Sequence, residues 1–145
     1  MDSIKILICC VVAVCMASVA VAQQREVEVE CHWGKISATI DVPAEGANTA
    51  ILIVAGSGPT DRHGNSAAGL STYSYKMLGE ALAKDGVAVM RYDKRGIGLS
   101  PIPAEDVPNL VFEDYIDDAR TCVEYLRNEG FERVVVAGHS EGGLI

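Results

Sequence analysis

The sequence has no cluster of basic residues. Its 12 lysines and arginines are outnumbered by 20 aspartates and glutamates, which leaves a formal net charge of −8 at pH 7. Nucleic acids are bound through a concentrated positive surface. The composition therefore argues against a nucleic-acid partner.

Signatures of metal and nucleotide binding are also missing. The three histidines lack the spacing of metal ligands and stand at His32, His63 and His139. Gly96 and Gly98 lack the third glycine of a dinucleotide-binding turn, and the loop 56–64 is not followed by the Lys-Ser/Thr pair of a phosphate-binding loop. We expect no metal, nucleotide or other cofactor.

Long apolar runs are absent except at the N-terminus. The uncharged run 6–22 ends in Ala20-Val21-Ala22, with small residues flanking the final position. This layout is typical of a secretory signal peptide, so we expect cleavage after Ala22. Residues 1–22 would then be the signal peptide and residues 23–145 the mature part, secreted or periplasmic without a stable membrane anchor. An uncleaved anchor helix is the alternative, because the run is at the lower limit of a membrane span.

Cysteine is scarce in the mature part. Three of the five cysteines lie in the apolar run, and only Cys31 and Cys122 follow it. A lipid anchor at Cys15 is disfavoured because Val14 precedes it where a small residue is needed. Export permits disulfides, but the sequence does not reveal the distance between Cys31 and Cys122. Both fall on apolar faces, so we expect buried free thiols, with a disulfide as the alternative.

Alternating and continuously apolar segments predict the fold. Apolar and polar residues alternate over 26–33 and again over 35–42, which predicts an antiparallel hairpin. Three short apolar segments typical of strands covered on both faces follow, at 50–55, 87–90 and 134–137. Helical spacing predicts helices over 75–84 and 112–128. The sequence thus predicts an α/β fold with a mostly parallel sheet, the hairpin at one edge and helices on both faces.

Each predicted helix has an apolar stripe that we expect to be buried. The stripe of the first consists of Met77, Leu78, Ala81 and Leu82, and that of the second of Ile116, Ala119, Val123 and Leu126. Four acidic residues stand near the start of the second helix, where negative charge is favoured, at Glu113, Asp114, Asp117 and Asp118.

The third apolar segment runs directly into Gly138-His139-Ser140-Glu141-Gly142. The pattern G-x-S-x-G between a strand and a helix is typical of a nucleophile elbow. Such a turn forces Ser140 into a strained backbone conformation, and Gly138 and Gly142 leave room for neighbouring elements. The N–H of Glu141 is unpaired at the helix start and is placed to stabilise an oxyanion. A glycine-rich turn with a capping serine is the alternative.

The loop that follows the first apolar segment is rich in glycine. A second oxyanion donor usually comes from this loop. Pro59 has no N–H, so we predict the N–H of Ser57 as the donor, with that of Gly58 as second choice. An ordinary flexible loop is the alternative.

Together these segments resemble the α/β-hydrolase superfamily, and more narrowly the bacterial esterase-like members grouped with the serine aminopeptidase-type hydrolases. Residues 55–62, 92–100 and 138–143 carry the resemblance, in the family's order and spacing. It implies an α/β-hydrolase fold, Ser140 as nucleophile, and the N–H groups of Glu141 and Ser57 as oxyanion hole. It also implies cleavage of a carboxylic ester or related acyl bond of a small molecule, without a cofactor.

The triad partners of the serine are not found in this sequence. In the family an acid and then a histidine follow the nucleophile along the chain, and residues 141–145 supply neither role. We therefore interpret residues 23–145 as the N-terminal part of such a domain, inactive by itself. A non-catalytic truncated or decayed product is the rival hypothesis, and peptidase or acyltransferase chemistry is the alternative within the same fold. The acyl group and the oligomeric state do not follow from the sequence.

Other polar residues near these motifs are interpreted as structural. His139 adjoins Ser140, but neighbouring side chains diverge on a sharp turn, so we expect it to pack. Asp93 and Arg95 are expected to brace the backbone beside the elbow.

The remaining polar residues of interest lie in the long loop and in the hairpin. His63 is interpreted as a surface loop residue and His32 as a solvated one. Asp61 and Arg62 either contact substrate or form an ion pair or hydrogen bond within their loop.

Overall fold

The computed structural model describes residues 22–145, and apart from Ala22 the predicted signal peptide lies outside them. The strands and helices are β1 (Gln23–Cys31), β2 (Gly34–Val42), β3 (Thr49–Val54), β4 (Asn65–Ser66), β5 (Leu70–Ser71), α1 (Ser74–Lys84), β6 (Ala88–Tyr92), α2 (Phe112–Asn128) and β7 (Arg133–Gly138). Two short 3₁₀ turns cover Val107–Asn109 and Ser140–Gly143. The bounds of α2 are those that the sequence predicts.

One mixed sheet of five strands organises the described residues, in the order β1-β2-β6-β3-β7. The predicted hairpin is confirmed, since β1 and β2 pair antiparallel with Cys31 opposite Gly34. β2 also pairs antiparallel with β6, whereas β6 with β3 and β3 with β7 are parallel. Trp33, expected in the first strand, lies in the turn instead. The predicted α/β arrangement is therefore present, with the hairpin at one edge.

The two helices cover opposite faces of this sheet, because neighbouring strand residues point to opposite sides. On one face, α2 packs through Ala119, Cys122 and Leu126 into an apolar core. Sheet residues that are fully buried in this core include Ile36, Ala38, Ile40, Ala50, Leu52, Val54, Ala88 and Met90. On the other face, Gly79 of α1 lies over Asp41 and Arg91.

The predicted buried stripe of α1 is wrong. Met77 is 64% exposed and Leu78 is 47% exposed, while Gly79 and Ala83 are buried. A Cβ atom at Gly79 would overlap the carboxylate of Asp41. The helix therefore approaches the sheet through its smallest residues, directly over the buried ion pair of Asp41 and Arg91, which helical periodicity does not reveal.

The segment 134–137, which has the pattern of a strand covered on both faces in a complete domain, lies in β7 and is partly open in the described residues. Val135 and Val136 are 44% and 49% exposed. Within residues 22–145, β7 pairs only with β3 and has no partner on its other side. An apolar strand with an unpaired edge is a template for association with other chains.

We therefore predict that residues 23–145, expressed by themselves, do not form a soluble monomer. The apolar side chains exposed on β7 and α1 are expected to drive association, because soluble monomers rarely tolerate more than a few hundred Å² of contiguous apolar surface. Size-exclusion chromatography with light scattering measures the outcome. A monomer that unfolds cooperatively in urea would show the prediction to be wrong.

No helix within residues 22–145 is both long enough and apolar enough to cross a bilayer.

Candidate active site

Three loops meet at the carboxyl ends of the parallel strands β3, β6 and β7, because these strands end on the same side of the sheet. They are the glycine-rich loop after β3, the turn after β6 and the elbow after β7. These are the segments that carry the sequence resemblance. The sheet therefore brings together what is far apart in the chain.

The elbow places Ser140 in a strained backbone conformation. Its φ of 53° is in the left-handed region, where residues other than glycine are uncommon. A Cβ atom at Gly138 would overlap the carbonyl of Gly142, and one at Gly142 would overlap the carbonyl of Val54. The structure thus shows the predicted strain at Ser140, and it shows that neither Gly138 nor Gly142 has room for a side chain. The residues after the serine form a 3₁₀ turn over Ser140–Gly143.

The glycine-rich loop lies directly against Ser140. β3 and β7 are in register up to the pair Val54 and Gly138, and the N–H of His139 donates to the carbonyl of Val54 at 3.0 Å. A Cβ atom at Gly56 would stand 3.2 Å from the Cβ of Ser140. The loop predicted to supply an oxyanion donor is therefore at contact distance from the predicted nucleophile.

A cleft of about 340 Å³ opens at this contact. Its lining residues are Gly56, Ser57, Thr60, Gly64, Leu70, Thr72, Ser74, Tyr75, His139 and Ser140. Ser57 and Ser140 are exposed to it, whereas Gly56 beneath them is buried. The structure thus brings Ser57 and Ser140, two of the three predicted site residues, into one cleft. The third, Glu141, directly follows Ser140 in the chain.

The backbone N–H groups of Ser57 and Glu141 are unengaged in the described part of the chain. Neither donates a hydrogen bond to another group of residues 22–145. The next residue, Gly142, does donate, to the carbonyl of His139 at 2.9 Å. Free donors beside a serine hydroxyl are the arrangement that can stabilise a developing oxyanion.

His139 differs from the expected packing residue. Its ring is exposed, and its Nδ1 forms a hydrogen bond of 2.8 Å with the hydroxyl of Tyr75. The two rings meet edge to face with centroids 5.9 Å apart. Burial raises the pKa of Tyr75, and a hydrogen bond with the backbone of Gly56 opposes the shift. Among the described residues, His139 therefore engages Tyr75 rather than the hydroxyl of Ser140.

Lys94 is a site residue that sequence reasoning missed. Its side chain is only 4% exposed, and its Nζ donates to the carbonyl of Gly56 at 2.5 Å. The same Nζ lies 3.9 Å from the carboxylate of Glu141 and 5.5 Å from the ring centroid of Tyr115. Burial lowers the pKa of Lys94, and the charge of Glu141 opposes this effect. A lysine in a polar turn gives no sequence signal of such burial.

Asp93 braces two loops, as expected of a structural residue. It is buried and accepts hydrogen bonds from the N–H groups of Arg62 at 2.7 Å and Leu99 at 2.9 Å. The buried guanidinium of Arg62 pairs with Glu26 at 3.1 Å and donates to Ser37 at 2.6 Å. The ion pair that Arg62 forms is therefore not the one within its loop that the sequence suggests, because its partner Glu26 lies on β1.

Asp61, unlike Arg62, forms hydrogen bonds within its own loop. Its Oδ1 accepts hydrogen bonds of 2.8 Å from the N–H groups of both His63 and Asn65. The predicted alternative of a hydrogen bond within the loop is therefore the one observed for Asp61.

Arg95 also has a structural role, on the opposite side of the turn. It binds Asp118 at 2.6 Å and Asp114 at 3.0 Å, and its guanidinium lies 4.8 Å from the ring centroid of Trp33. Asp118 is only 2% exposed and accepts a further hydrogen bond from Trp33 at 2.8 Å. The interpretation of Asp118 as helix-start charge is therefore wrong, because it is the buried partner of Arg95.

The other two histidines do not line the cleft. His63 lies in the loop as expected, but it is half-buried, and its Nδ1 is 3.1 Å from the guanidinium of the buried Arg91. His32 is exposed in the turn between β1 and β2. Within residues 22–145, no group of histidine, cysteine and acidic side chains could hold a metal ion.

The two cysteines of the described part are free thiols. Cys122 is fully buried in the core, whereas Cys31 is half-buried and donates to the carbonyl of Gly34 at 3.2 Å. Burial raises the pKa of Cys122 well above its usual range, with smaller contributions from Asp118 and Cys31. A thiol of this kind is unreactive, so neither chemistry nor a disulfide is assigned to it.

Solved structures with this arrangement are α/β hydrolases. Est1E from Butyrivibrio proteoclasticus, solved with ferulic acid bound, is 26% identical with a TM-score of 0.62, over 81% of this chain and 44% of that one. Proline iminopeptidase from Mycobacterium smegmatis is 21% identical with a TM-score of 0.63, over 83% and 37%. Dienelactone hydrolase from Anabaena variabilis is 18% identical with a TM-score of 0.64, over 84% and 54%. The fold is thus an α/β-hydrolase fold, of which the chain spans 37–54% of the length of these structures.

The sequence relationship is narrower than the fold. The model of the serine aminopeptidase S33 family matches residues 68–145, more than half of the chain, and the chain belongs to this family. The matched range includes the turn with Asp93 and Lys94 and the elbow with Ser140. No curated protein sequence matches the chain.

Proposed function

We propose that the full-length protein is a serine hydrolase that cleaves a carboxylic ester, or a related acyl bond, through an acyl-enzyme at Ser140. The observation that carries the proposal is the strained elbow, which holds Ser140 at φ 53° against the glycine-rich loop. A backbone strained at one serine is typical of a site whose side chain must be presented to a substrate. Family membership and the fold support the same class of chemistry.

The reaction divides into two steps. The Oγ of Ser140 attacks the carbonyl carbon of the ester and loses its proton to a histidine base, which the family supplies after the nucleophile. The tetrahedral oxyanion accepts hydrogen bonds from the N–H groups of Ser57 and Glu141. Collapse expels the alcohol, which takes the proton from the histidine. Water then attacks the acyl-enzyme and gives its proton to the histidine, while the same donors stabilise the second oxyanion. Collapse breaks the bond between the acyl carbon and Oγ of Ser140, the histidine returns the proton to Oγ, and the acid is released.

The described part of the cleft favours an ester over an aminoacyl peptide. Its lining residues include no aspartate or glutamate side chain to pair with a free α-ammonium group. An aminopeptidase must bind that cation, and a buried charge without a partner is costly. The similarity to proline iminopeptidase makes peptidase chemistry the second candidate.

The test compares two substrates on the full-length protein. We expect kcat/KM for p-nitrophenyl butyrate to exceed that for proline p-nitroanilide by at least about 100-fold, since no group in the described cleft offsets the desolvation of the ammonium. A preference for the anilide would replace esterase by aminopeptidase. The rival hypothesis of a non-catalytic product predicts no turnover of either substrate and no labelling of Ser140 by a fluorophosphonate.

We also propose that the protein is exported after cleavage behind Ala22. The apolar run 6–22 with its Ala20-Val21-Ala22 ending supports this. Mass spectrometry of the secreted or periplasmic product is expected to find Gln23 at the N-terminus, as the free or the cyclised residue. An intact Met1 terminus in the cytoplasmic fraction would contradict the prediction.

A further inference from the structure

The Lys94 ammonium and the proposed oxyanion donors are connected through a single peptide group. Lys94 donates to the carbonyl oxygen of Gly56, and the amide nitrogen bonded to that carbonyl carbon belongs to Ser57. In a planar trans peptide the C=O and N–H bonds point in opposite directions. A cation fixed at the oxygen therefore sets the direction of the Ser57 N–H on the other side of the peptide plane.

The same contact strengthens the donor. A hydrogen bond from a charged group to a carbonyl polarises the peptide, and hydrogen bonds in such a chain reinforce one another in a low-dielectric environment. Lys94 is only 4% exposed and Gly56 is buried, so this interaction is shielded from water. Loss of the ammonium would leave the carbonyl of Gly56 buried without this partner, and rotation of the peptide would turn the Ser57 N–H away.

Lys94 also reaches the second donor residue. Its Nζ lies 3.9 Å from the carboxylate of Glu141, the residue whose backbone N–H is the other proposed donor. The ring of Tyr115 on α2 lies beside the ammonium, with its centroid 5.5 Å from Nζ. One buried cation thus links the glycine-rich loop after β3 to the elbow after β7.

We propose that Lys94 is a positioning residue of the oxyanion hole, which orients and polarises the Gly56–Ser57 peptide and ties it to Glu141. The inference rests on the proposed serine hydrolase function. Lys94 transfers no proton and forms no bond to substrate. Because Lys94 stabilises the tetrahedral state and not the bound ester, its presence should raise kcat and leave substrate binding unchanged.

The experiment measures hydrolysis of p-nitrophenyl butyrate by the full-length protein and by Lys94→Met, Lys94→Gln and Lys94→Arg. Methionine keeps most of the apolar stem without a donor, glutamine keeps a neutral donor, and arginine keeps the charge. Endpoint titration with a fluorophosphonate counts the competent Ser140 sites, so that kcat is expressed per site and is independent of misfolded material. Lys84→Met, at an exposed lysine of α1 outside the cleft, is the matched control.

For Lys94→Met we expect kcat per site to fall at least about tenfold, with KM within about twofold, because loss of a direct oxyanion donor costs about 10²–10³ in kcat and Lys94 acts through one. Inhibition by an alkyl boronate, which forms a tetrahedral adduct with the serine, should weaken by the same factor. Lys94→Gln and Lys94→Arg should lie between Lys94→Met and the unsubstituted protein.

Three results would overturn the proposal: unchanged kcat per site in Lys94→Met, a loss confined to KM, or a loss only in the number of titratable sites. If none of the three Lys94 variants gave titratable sites, Lys94 would be purely structural and the proposal would also be wrong. Absence of titratable Ser140 in the unsubstituted protein refutes the proposed function itself and is thereby distinguished from failure of this inference.

Discussion

Replacing Ser140 with alanine in the full-length protein should lower kcat/KM for a short acyl ester by about 10⁴-fold or more, as in other enzymes whose nucleophile is removed. The physical reason is that no other hydroxyl in the cleft is presented on a strained elbow next to two unengaged N–H groups. Labelling by a fluorophosphonate should disappear in the same variant. Stopped-assay kinetics and mass spectrometry of the labelled peptide measure the two effects.

The matched control is Ser71→Ala, at an exposed serine of β5 that does not line the cleft. It should retain labelling and turnover within about twofold, since exposed substitutions rarely propagate. Persistent labelling in Ser140→Ala would assign the nucleophile elsewhere and would remove the basis of the proposed function.

Replacing Asp41 with alanine should lower the free energy of unfolding by about 3–5 kcal/mol, because it leaves the buried charge of Arg91 uncompensated. Arg91 and Asp41 are each 1% exposed, and Nε of Arg91 lies 2.8 Å from Oδ2 of Asp41. The same guanidinium donates to the carbonyl of Arg62 at 3.1 Å and meets Nδ1 of His63 at the same distance. The substitution therefore disturbs β2, β6 and the loop beside the cleft together.

The control is Asp117→Ala, which removes an exposed ion pair of 2.8 Å with Arg120 on α2. Exposed pairs of this kind contribute about 0–1 kcal/mol. Urea denaturation of the full-length protein should separate the two variants clearly. Equal effects would mean that the interior site is hydrated or rearranges easily, contrary to the structure.

The elbow was predictable because G-x-S-x-G after an apolar strand is a local pattern with a local cause, the steric crowding around Gly138 and Gly142. The hairpin and α2 were predictable for the same reason, since alternation and helical spacing are patterns of neighbouring residues. The positions of these elements need no knowledge of distant partners.

The errors concern residues whose role depends on a distant partner. Helical spacing predicts that Met77 and Leu78 are buried, yet α1 packs on the sheet through Gly79, above the ion pair of Asp41 and Arg91. The sequence predicts Asp118 as helix-start charge, yet this residue is buried against Arg95. A charged side chain is buried only where its partner arrives from another element, and local periodicity contains no information about that arrival.

By itself, the sequence determined the type and order of the elements, the hairpin, the family resemblance and the identity of the serine on the elbow. Only the tertiary structure decided that Gly56 lies against Ser140, that Lys94 is buried beneath the same peptide, and that His139 pairs with Tyr75. The reason is that parallel pairing of β3, β6 and β7 superimposes loops that are tens of residues apart in the chain. Local sequence sets backbone conformation, whereas the contacts that make a site arise from the pairing of strands distant in sequence.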